Sequence, residues 1–349
     1  MRFYICKEME EPKEGRVAII GAGPAGLSAA GYLACRGYQV EVFDKMPEGG
    51  GMIAFGIPES RIPIETVREG VKDLERLGIK FNFKTKVVYD NLRDIGDEFV
   101  ERVIYLEELL EDFDAVLIAT GAWRPRKLKI EGIELEGVWD ALTLLYKIKL
   151  ARIGYIPWDE VPEIRGKDVV IVGAGYTAVD VALEAKSLGA KKVTMIYRRG
   201  LENSYAKAEI KRLINEGVSF IEFATPARIL GETGVKEVEF VKTKIVNGKV
   251  IPTDDTFKLS ADIFVYALGQ LPTPPIKALI CANEKILRDA GIFLAGDVLA
   301  PRNIGAAIRE GIRAAKEIEG WLMSKEERPR VLSIRSFLLS QRSEIWQNC

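Results

Sequence analysis

One pattern is written twice in this chain, with starts 152 residues apart (173 − 21), and it leaves few folds open. The apolar run Val17-Ala-Ile-Ile20 enters Gly21-Ala-Gly23-Pro24-Ala25-Gly26, after which Leu27, Ala30, Leu33 and Ala34 recur at helical spacing up to a stop at Gly37. An alternating strand, Val40-Glu-Val42-Phe-Asp44, then sets a carboxylate 23 residues beyond Gly21. Downstream, Asp168-Val-Val-Ile-Val172 enters Gly173-Ala-Gly175-Tyr176-Thr177-Ala178 and a helix carrying Val179, Ala182, Leu183 and Leu188. Strand, glycine turn, helix and strand form the βαβ unit that binds a dinucleotide. Gly21 permits the tight turn, Gly23 lets a pyrophosphate approach the backbone, and Gly26 lets helix and strand pack closely. The helix N-terminus faces the phosphate charge, and Asp44 is placed to accept hydrogen bonds from ribose hydroxyls.

The two copies also close alike. Phe113-Asp-Ala-Val-Leu-Ile-Ala119-Thr120-Gly121 matches Ala261-Asp-Ile-Phe-Val-Tyr-Ala-Leu-Gly269, an offset of 148 (269 − 121). Between those ends, Val67, Val71 and Leu74 mark a helix face before Gly78 and a strand Ile79 to Phe83; Ile210, Leu213 and Ile214 do the same before Gly217 and a strand Val218 to Phe223. The chain therefore reads as an internal duplication of one nucleotide-binding domain. Where the first copy has Asp44, the second has Tyr197-Arg198-Arg199. Two guanidinium groups suit a ribose 2′-phosphate, so the second copy is expected to take NADPH in preference to NADH.

Composition narrows the chemistry. With 50 basic and 51 acidic residues the formal net charge is −1, which offers no positive surface for nucleic acid or an anionic leaflet. The apolar runs are strand-length, so no membrane span is expected. Met1 leads into the polar stretch Lys7 to Arg16 without a signal-peptide core, and the expectation is a cytoplasmic protein. There is no histidine, which removes the usual acid–base group, the common triads and every His-ligated metal site; no metal is expected. Cys6, Cys35, Cys281 and Cys349 are scattered, with no C-x-x-C pair and no cluster-binding run, and read as buried reduced thiols. Redox work under these limits needs a bound cofactor.

These residues resemble the two-dinucleotide-binding-domain flavoproteins, specifically the NADPH-dependent glutamate synthase small-subunit (beta chain) group, from about Pro12 to Leu322. The most specific marker is Gly50-Gly51-Met52-Ile-Ala-Phe-Gly56-Ile-Pro58-Glu-Ser-Arg61-Ile-Pro63. Ala119-Thr120-Gly121-Ala-Trp-Arg-Pro125, the second fingerprint ending at Arg199, and Gly291-Ile-Phe-Leu-Ala-Gly296-Asp297 are the others. The resemblance implies FAD in the first copy, completed by the C-terminal return of the chain. It implies contacts from Gly51, Met52 and Arg61 to the pyrophosphate or flavin, from the Val87 backbone to the adenine, and a cofactor-binding role for Lys45. Asp297 would meet the ribityl chain, and Ile304 to Ala306 would begin a helix aimed at the flavin pyrimidine edge, where its positive end suits negative charge. The chain departs from the group at Tyr176, where Asn is usual; an aromatic gate over the nicotinamide and simple packing against the βα turn are both open readings of that residue. Ser204-Tyr205 replaces the usual Met-Pro, and with only about a dozen residues ahead of the first strand the group's cysteine-rich N-terminal iron–sulfur domain is not expected here.

The reading is an α/β chain of two nested Rossmann-type, glutathione reductase-like domains with parallel sheets. Residues 12–122 with 270–325 would form the FAD domain, 123–269 the NAD(P)H domain, and 326–349 a tail. Its expected work is hydride transfer from NADPH to flavin N5, with no catalytic side chain, then electron delivery to an iron–sulfur or glutamate synthase-type partner subunit. The alternatives are a stand-alone NADPH–ferredoxin or quinone-type reductase and a flavin-bearing assembly or sensor protein that does not turn over; a homo-oligomer stays open.

Overall fold

The computed structural model describes residues 1–88, 94–272, 287–288 and 290–324. They divide into two compact units. The first contains Met1–Ala54, Ile62–Arg124 and the described residues from Gln270 onward; the second contains Phe55–Arg61 and Pro125–Gly269.

In chain order, β1 (Arg16–Ile20), α1 (Pro24–Cys35) and β2 (Gln39–Phe43) are followed by α2 (Met52–Phe55), α3 (Ile64–Arg76), β3 (Lys80–Asn82) and β4 (Thr85–Val88). Then come β5 (Arg102–Tyr105), α4 (Leu106–Asp112) and β6 (Ala115–Ile118). Next are β7 (Arg124–Pro125), β8 (Val138–Asp140), α5 (Ala141–Arg152), β9 (Asp168–Val172), α6 (Tyr176–Ser187), β10 (Lys192–Tyr197), α7 (Lys207–Asn215) and β11 (Ser219–Glu222). Three long strands, β12 (Ala224–Gly231), β13 (Val235–Val246) and β14 (Lys249–Ser260), lead to β15 (Ile263–Tyr266), β16 (Gln270–Leu271), β17 (Ile292–Leu294) and α8 (Ile304–Met323).

Each unit is centred on a five-stranded parallel sheet. The first has the order β17-β6-β1-β2-β3 and the second β11-β10-β9-β15-β8. The central strands are apolar on both faces, as a sheet covered by helices on both sides requires. α1 is buried almost all round because it lies between its sheet and α8, and Gly311 is what lets α8 approach: a Cβ there would stand 2.1 Å from the Ala25 carbonyl oxygen. The second unit also carries an antiparallel sheet of β12, β13 and β14, which the sequence pattern does not announce. No helix among the described residues is long and apolar enough to cross a membrane.

The residues ahead of β1 form a strap over α1. Phe3 is buried in the core, where Gly31 and Gly70 make room for it, and the Glu10 and Lys13 N–H groups donate to the Cys35 and Gly37 carbonyls. This path brings Cys6 to Cys35, and the two form a disulfide with Cα atoms 5.8 Å apart. The expectation of reduced thiols is thus wrong for this pair: 29 residues separate them, and their meeting is set by the course of the strap rather than by spacing. Cys281, Cys349 and the tail 326–349 lie outside the described residues.

Candidate dinucleotide-binding sites

The first site forms at the C-terminal ends of β1, β2, β4 and β6. Gly21 leaves β1 with φ +106°, and a Cβ on it would lie 2.4 Å from the Ala119 carbonyl oxygen. A Cβ on Gly26 would lie 1.9 Å from the Gly21 carbonyl oxygen, so only glycine lets α1 start against its own strand. Gly23 caps α1 in extended conformation and Pro24 opens it, with no side chain satisfying the first N–H groups. Gly51, at φ +54°, meets the turn glycine to glycine: a Cβ on it would stand 2.8 Å from Gly23 Cα. Met52 follows at the start of α2. Ala25 and Ala119 are buried beside this turn.

Ile20, Asp44, Lys45, Val87, Thr120 and Trp123 line one cleft. The Ala22 and Met46 N–H groups donate to Asp44 Oδ2 and Oδ1 at 2.5 and 2.8 Å, so the carboxylate binds the glycine turn to the end of β2 while each oxygen keeps a further lone pair. Burial pushes the Asp44 carboxyl above its ordinary range, against the pull of those two donors. Lys45 Nζ stands 5.3 Å over the Trp123 ring and 3.2 Å from Asp97 Oδ1, and Lys86 holds the other oxygen of Asp97. Burial alone would raise the Asp97 carboxyl; Lys86 and Lys45 hold it below the ordinary range. Sequence reasoning missed Lys86 and Asp97, which lack a motif and meet only because β4 runs beside the end of β2. The Thr120 hydroxyl is buried with no hydrogen-bond partner among the described residues, and Gly121 beside it has φ +71°.

The C-terminal return completes this unit. The Gly296 N–H donates to Glu310 Oε2 at 3.0 Å, and Asp297 Oδ1 accepts from the Arg302 N–H at 3.1 Å. Burial raises the Asp297 carboxyl. Ile304 opens α8, where the Ala306 N–H donates to the Asn303 side-chain oxygen at 2.9 Å.

The second site repeats the plan. A Cβ on Gly173, at φ +132°, would lie 2.6 Å from the Ala267 carbonyl oxygen, whereas one on Gly175 would meet open space. Tyr176 and Thr177 open α6, and Ala178 is fully buried against the sheet. Ser204 Oγ donates to the Ala174 carbonyl at 2.5 Å and accepts from the Ala206 N–H at 3.0 Å, tying the loop after β10 to the glycine turn. On that loop Arg198 is exposed and Arg199 half-buried, and neither guanidinium has an ion-pair partner among the described residues. Gly269, φ +95°, follows β15 and its carbonyl accepts from the Arg126 N–H at 3.0 Å.

Arg61, expected at the flavin, lies in the second unit. Its Nη1 donates to Asp180 Oδ1 at 2.5 Å, and its guanidinium carbon stands 5.7 Å from the Tyr176 ring centroid. Burial pushes the Asp180 carboxyl up to about 6 against the pull of Arg61. On the same segment Glu59 accepts from Lys149, fully buried on α5, at 2.6 Å.

Comparison with known proteins agrees with this geometry. The model of the pyridine nucleotide-disulphide oxidoreductase family matches residues 15–311. The beta subunit of the NADP(+)-dependent formate dehydrogenase of Moorella thermoacetica is 33% identical over 337 residues, covering 90% of this chain and 45% of that protein. The small chain of the NADPH glutamate synthase of Azospirillum brasilense is 32% identical over 339 residues, covering 90% of this chain and 68% of that one. The chain thus spans less than half of the first relative and about two thirds of the second. FprA of Mycobacterium tuberculosis superposes with a TM-score of 0.70 at 18% identity, over 89% of this chain and 85% of that one, a likeness of fold. With its two glycine turns, nested parallel sheets and these relatives, the chain belongs to the pyridine nucleotide-disulphide oxidoreductase family, in the group of the glutamate synthase small chains.

Proposed function

We propose that the protein is an NADPH:acceptor oxidoreductase that holds FAD in its first unit and NADPH in its second, and delivers electrons to an iron–sulfur subunit of a larger complex. The observation that carries this reading is the different ending of two otherwise like sites: a carboxylate, Asp44, in the first and, in the second, two guanidinium groups, Arg198 and Arg199, that have no ion-pair partner among the described residues. The first site fits FAD. Gly23 and Gly51 leave a backbone cradle that any Cβ would fill, and the buried Thr120 hydroxyl has no partner among the described residues. The open space at Gly175 fits a pyrophosphate at the N-terminus of α6.

When bound, FAD supplies the hydride and electron-transfer chemistry that no side chain of this chain offers. The residues bind and orient: the α1 N-terminus faces the FAD pyrophosphate, Asp44 the ribose, and the side chains of Lys45 and Val87 the cleft beside it. Relatives whose names describe a small chain and a beta subunit support a partner.

The test is anaerobic mixing of the flavin-loaded protein with NADPH or NADH while flavin absorbance is followed. NADPH should bleach it faster at equal concentration. Replacing both Arg198 and Arg199 by Ala should cut the preference by about 10- to 100-fold, chiefly in KM, the loss expected from charge-assisted hydrogen bonds. A protein that bleaches better with NADH, or not at all, refutes the reading.

A further inference from the structure

Two carboxylates ahead of β5, Asp94 and Asp97, hold the wall of the first cleft. Asp97 sets one oxygen 3.2 Å from Lys45 Nζ and the other against Lys86, and Lys45 Nζ also donates to the Ile95 carbonyl. Asp94 Oδ1 accepts from Arg124 Nε at 2.6 Å, next to Trp123 in the chain. Lys45, Lys86, Asp94 and Trp123 line the cleft together with Asp44 and Val87, whereas Asp97 is not among its lining residues and reaches it only through the two lysines. These pairs are sheltered: the Asp94 side chain is 4% exposed, and those of Asp97 and Lys45 are each 15% exposed. The segment is also tied to itself and to the core. The Asp94 N–H donates to Asp97 Oδ2 at 2.8 Å, and Gly96, at φ +93°, lies so close to the fully buried Met46 that a Cβ would stand 2.5 Å from its Sδ.

We propose that residues 94–97 are a clasp on the first site, in which Asp97 is a positioning residue for FAD: by bridging Lys45 and Lys86 it keeps the adenosine wall of the cleft formed before the cofactor arrives. The inference rests on the FAD reading given above. A lysine is a flexible chain, and two of them left unbridged must be ordered each time the cofactor binds, at a cost in affinity. Their ammonium groups also repel each other. A carboxylate removes both difficulties, because it is acceptor-only and offers one oxygen to each lysine; an amide in its place offers one oxygen and turns an N–H donor toward the other ammonium. The same bridge leaves Lys45 over the Trp123 ring, 5.3 Å from its centroid. The second site shares none of these residues.

The experiment strips the full chain of flavin and titrates it with FAD, following flavin fluorescence, at an ionic strength of about 0.5 M, so that the altered net charge of the variants is screened from the anionic cofactor. A parallel titration with 2′,5′-ADP, the phosphorylated adenosine half of NADPH, reports on the second site. Asp97→Asn should weaken FAD about ten-fold, the scale of ordering two long side chains, with 2′,5′-ADP unchanged within about two-fold. Asp97→Glu should recover part of the loss. Lys45→Met should weaken FAD to a like extent, and adding it to Asp97→Asn should cost little more, because the bridge is already gone. Glu101→Gln removes an exposed pair of the same neighbourhood, 2.7 Å from Lys84 and away from the cleft, and should leave FAD affinity unchanged. FAD held by Asp97→Asn as tightly as by wild type, full additivity of the two substitutions, an equal loss in Glu101→Gln, or equal weakening of 2′,5′-ADP would each overturn the inference. Wild type that binds no FAD would instead overturn the FAD reading, and this inference with it.

Discussion

At the scale of single residues, burial ties stability to pH at Asp180. Its carboxyl is raised from 3.8 to about 6, chiefly by burial. The native state therefore holds a proton that the unfolded chain releases, and the stability this confers is fully present below the unfolded value and lost as pH rises through about 6. A rise of about two units corresponds to about 3 kcal/mol. Relative to Asp180→Asn, which stays neutral, the wild type should thus lose about 3 kcal/mol of unfolding free energy between about pH 4 and pH 7.5. Denaturant titrations of both proteins at the two pH values measure it, and parallel pH dependence would contradict it. The sequence made the acid after β2 legible, because the spacing from Gly21 to Asp44 is fixed by one strand and one helix. It did not reveal that both Asp44 oxygens accept backbone N–H groups, nor that Arg61 would find Asp180, 119 residues away. Ion pairs of that kind depend on where a loop is carried, which no local period records.

Among the elements, the strap and α1 show how a covalent bond and an apolar anchor divide one task. Phe3 fills the space left by Gly31 and Gly70, and the disulfide joins Cys6 to the last residue of α1, whose first turn faces the candidate FAD pyrophosphate. A closed loop of this size, its ends at a sequence separation of 29, constrains the unfolded chain by roughly 3–4 kcal/mol on the chain-entropy account. Cys6→Ser should lower stability by about that amount in guanidinium unfolding without reductant, and reductant should bring the wild type to the level of the variant. A variant as stable as the oxidised wild type would show that the strap is held by Phe3 and its hydrogen bonds alone. Elements of strong period were legible: β1, α1, β9 and α6 fall where the apolar runs and glycines put them. The antiparallel sheet was not. β14 is polar along most of its length and contains Pro252, so its strand character comes from pairing with β13 and not from its own alternation.

For the whole molecule, the duplication explains the central strands but not the outermost ones. Each sheet takes its fifth strand from outside its repeat: β17 from the C-terminal return in the first unit, β8 from the segment ahead of the second glycine turn in the other. Each unit also has its own buried clusters, so damage to one core should spare the other's ligand. Gly311 gives a way to test this. A side chain there collides with the Ala25 carbonyl, and because what it meets is backbone, no flexible side chain can yield. Gly311→Val should push α8 from α1, disturb the first turn of α1, and leave the purified protein with little FAD. The same protein should bind 2′,5′-ADP within about two-fold of wild type, because additivity holds for sites that share no partners. Loss of both ligands would mean that the two cores fold as one cooperative body. Retention of FAD would mean that α8 is not needed to hold the first glycine turn in shape.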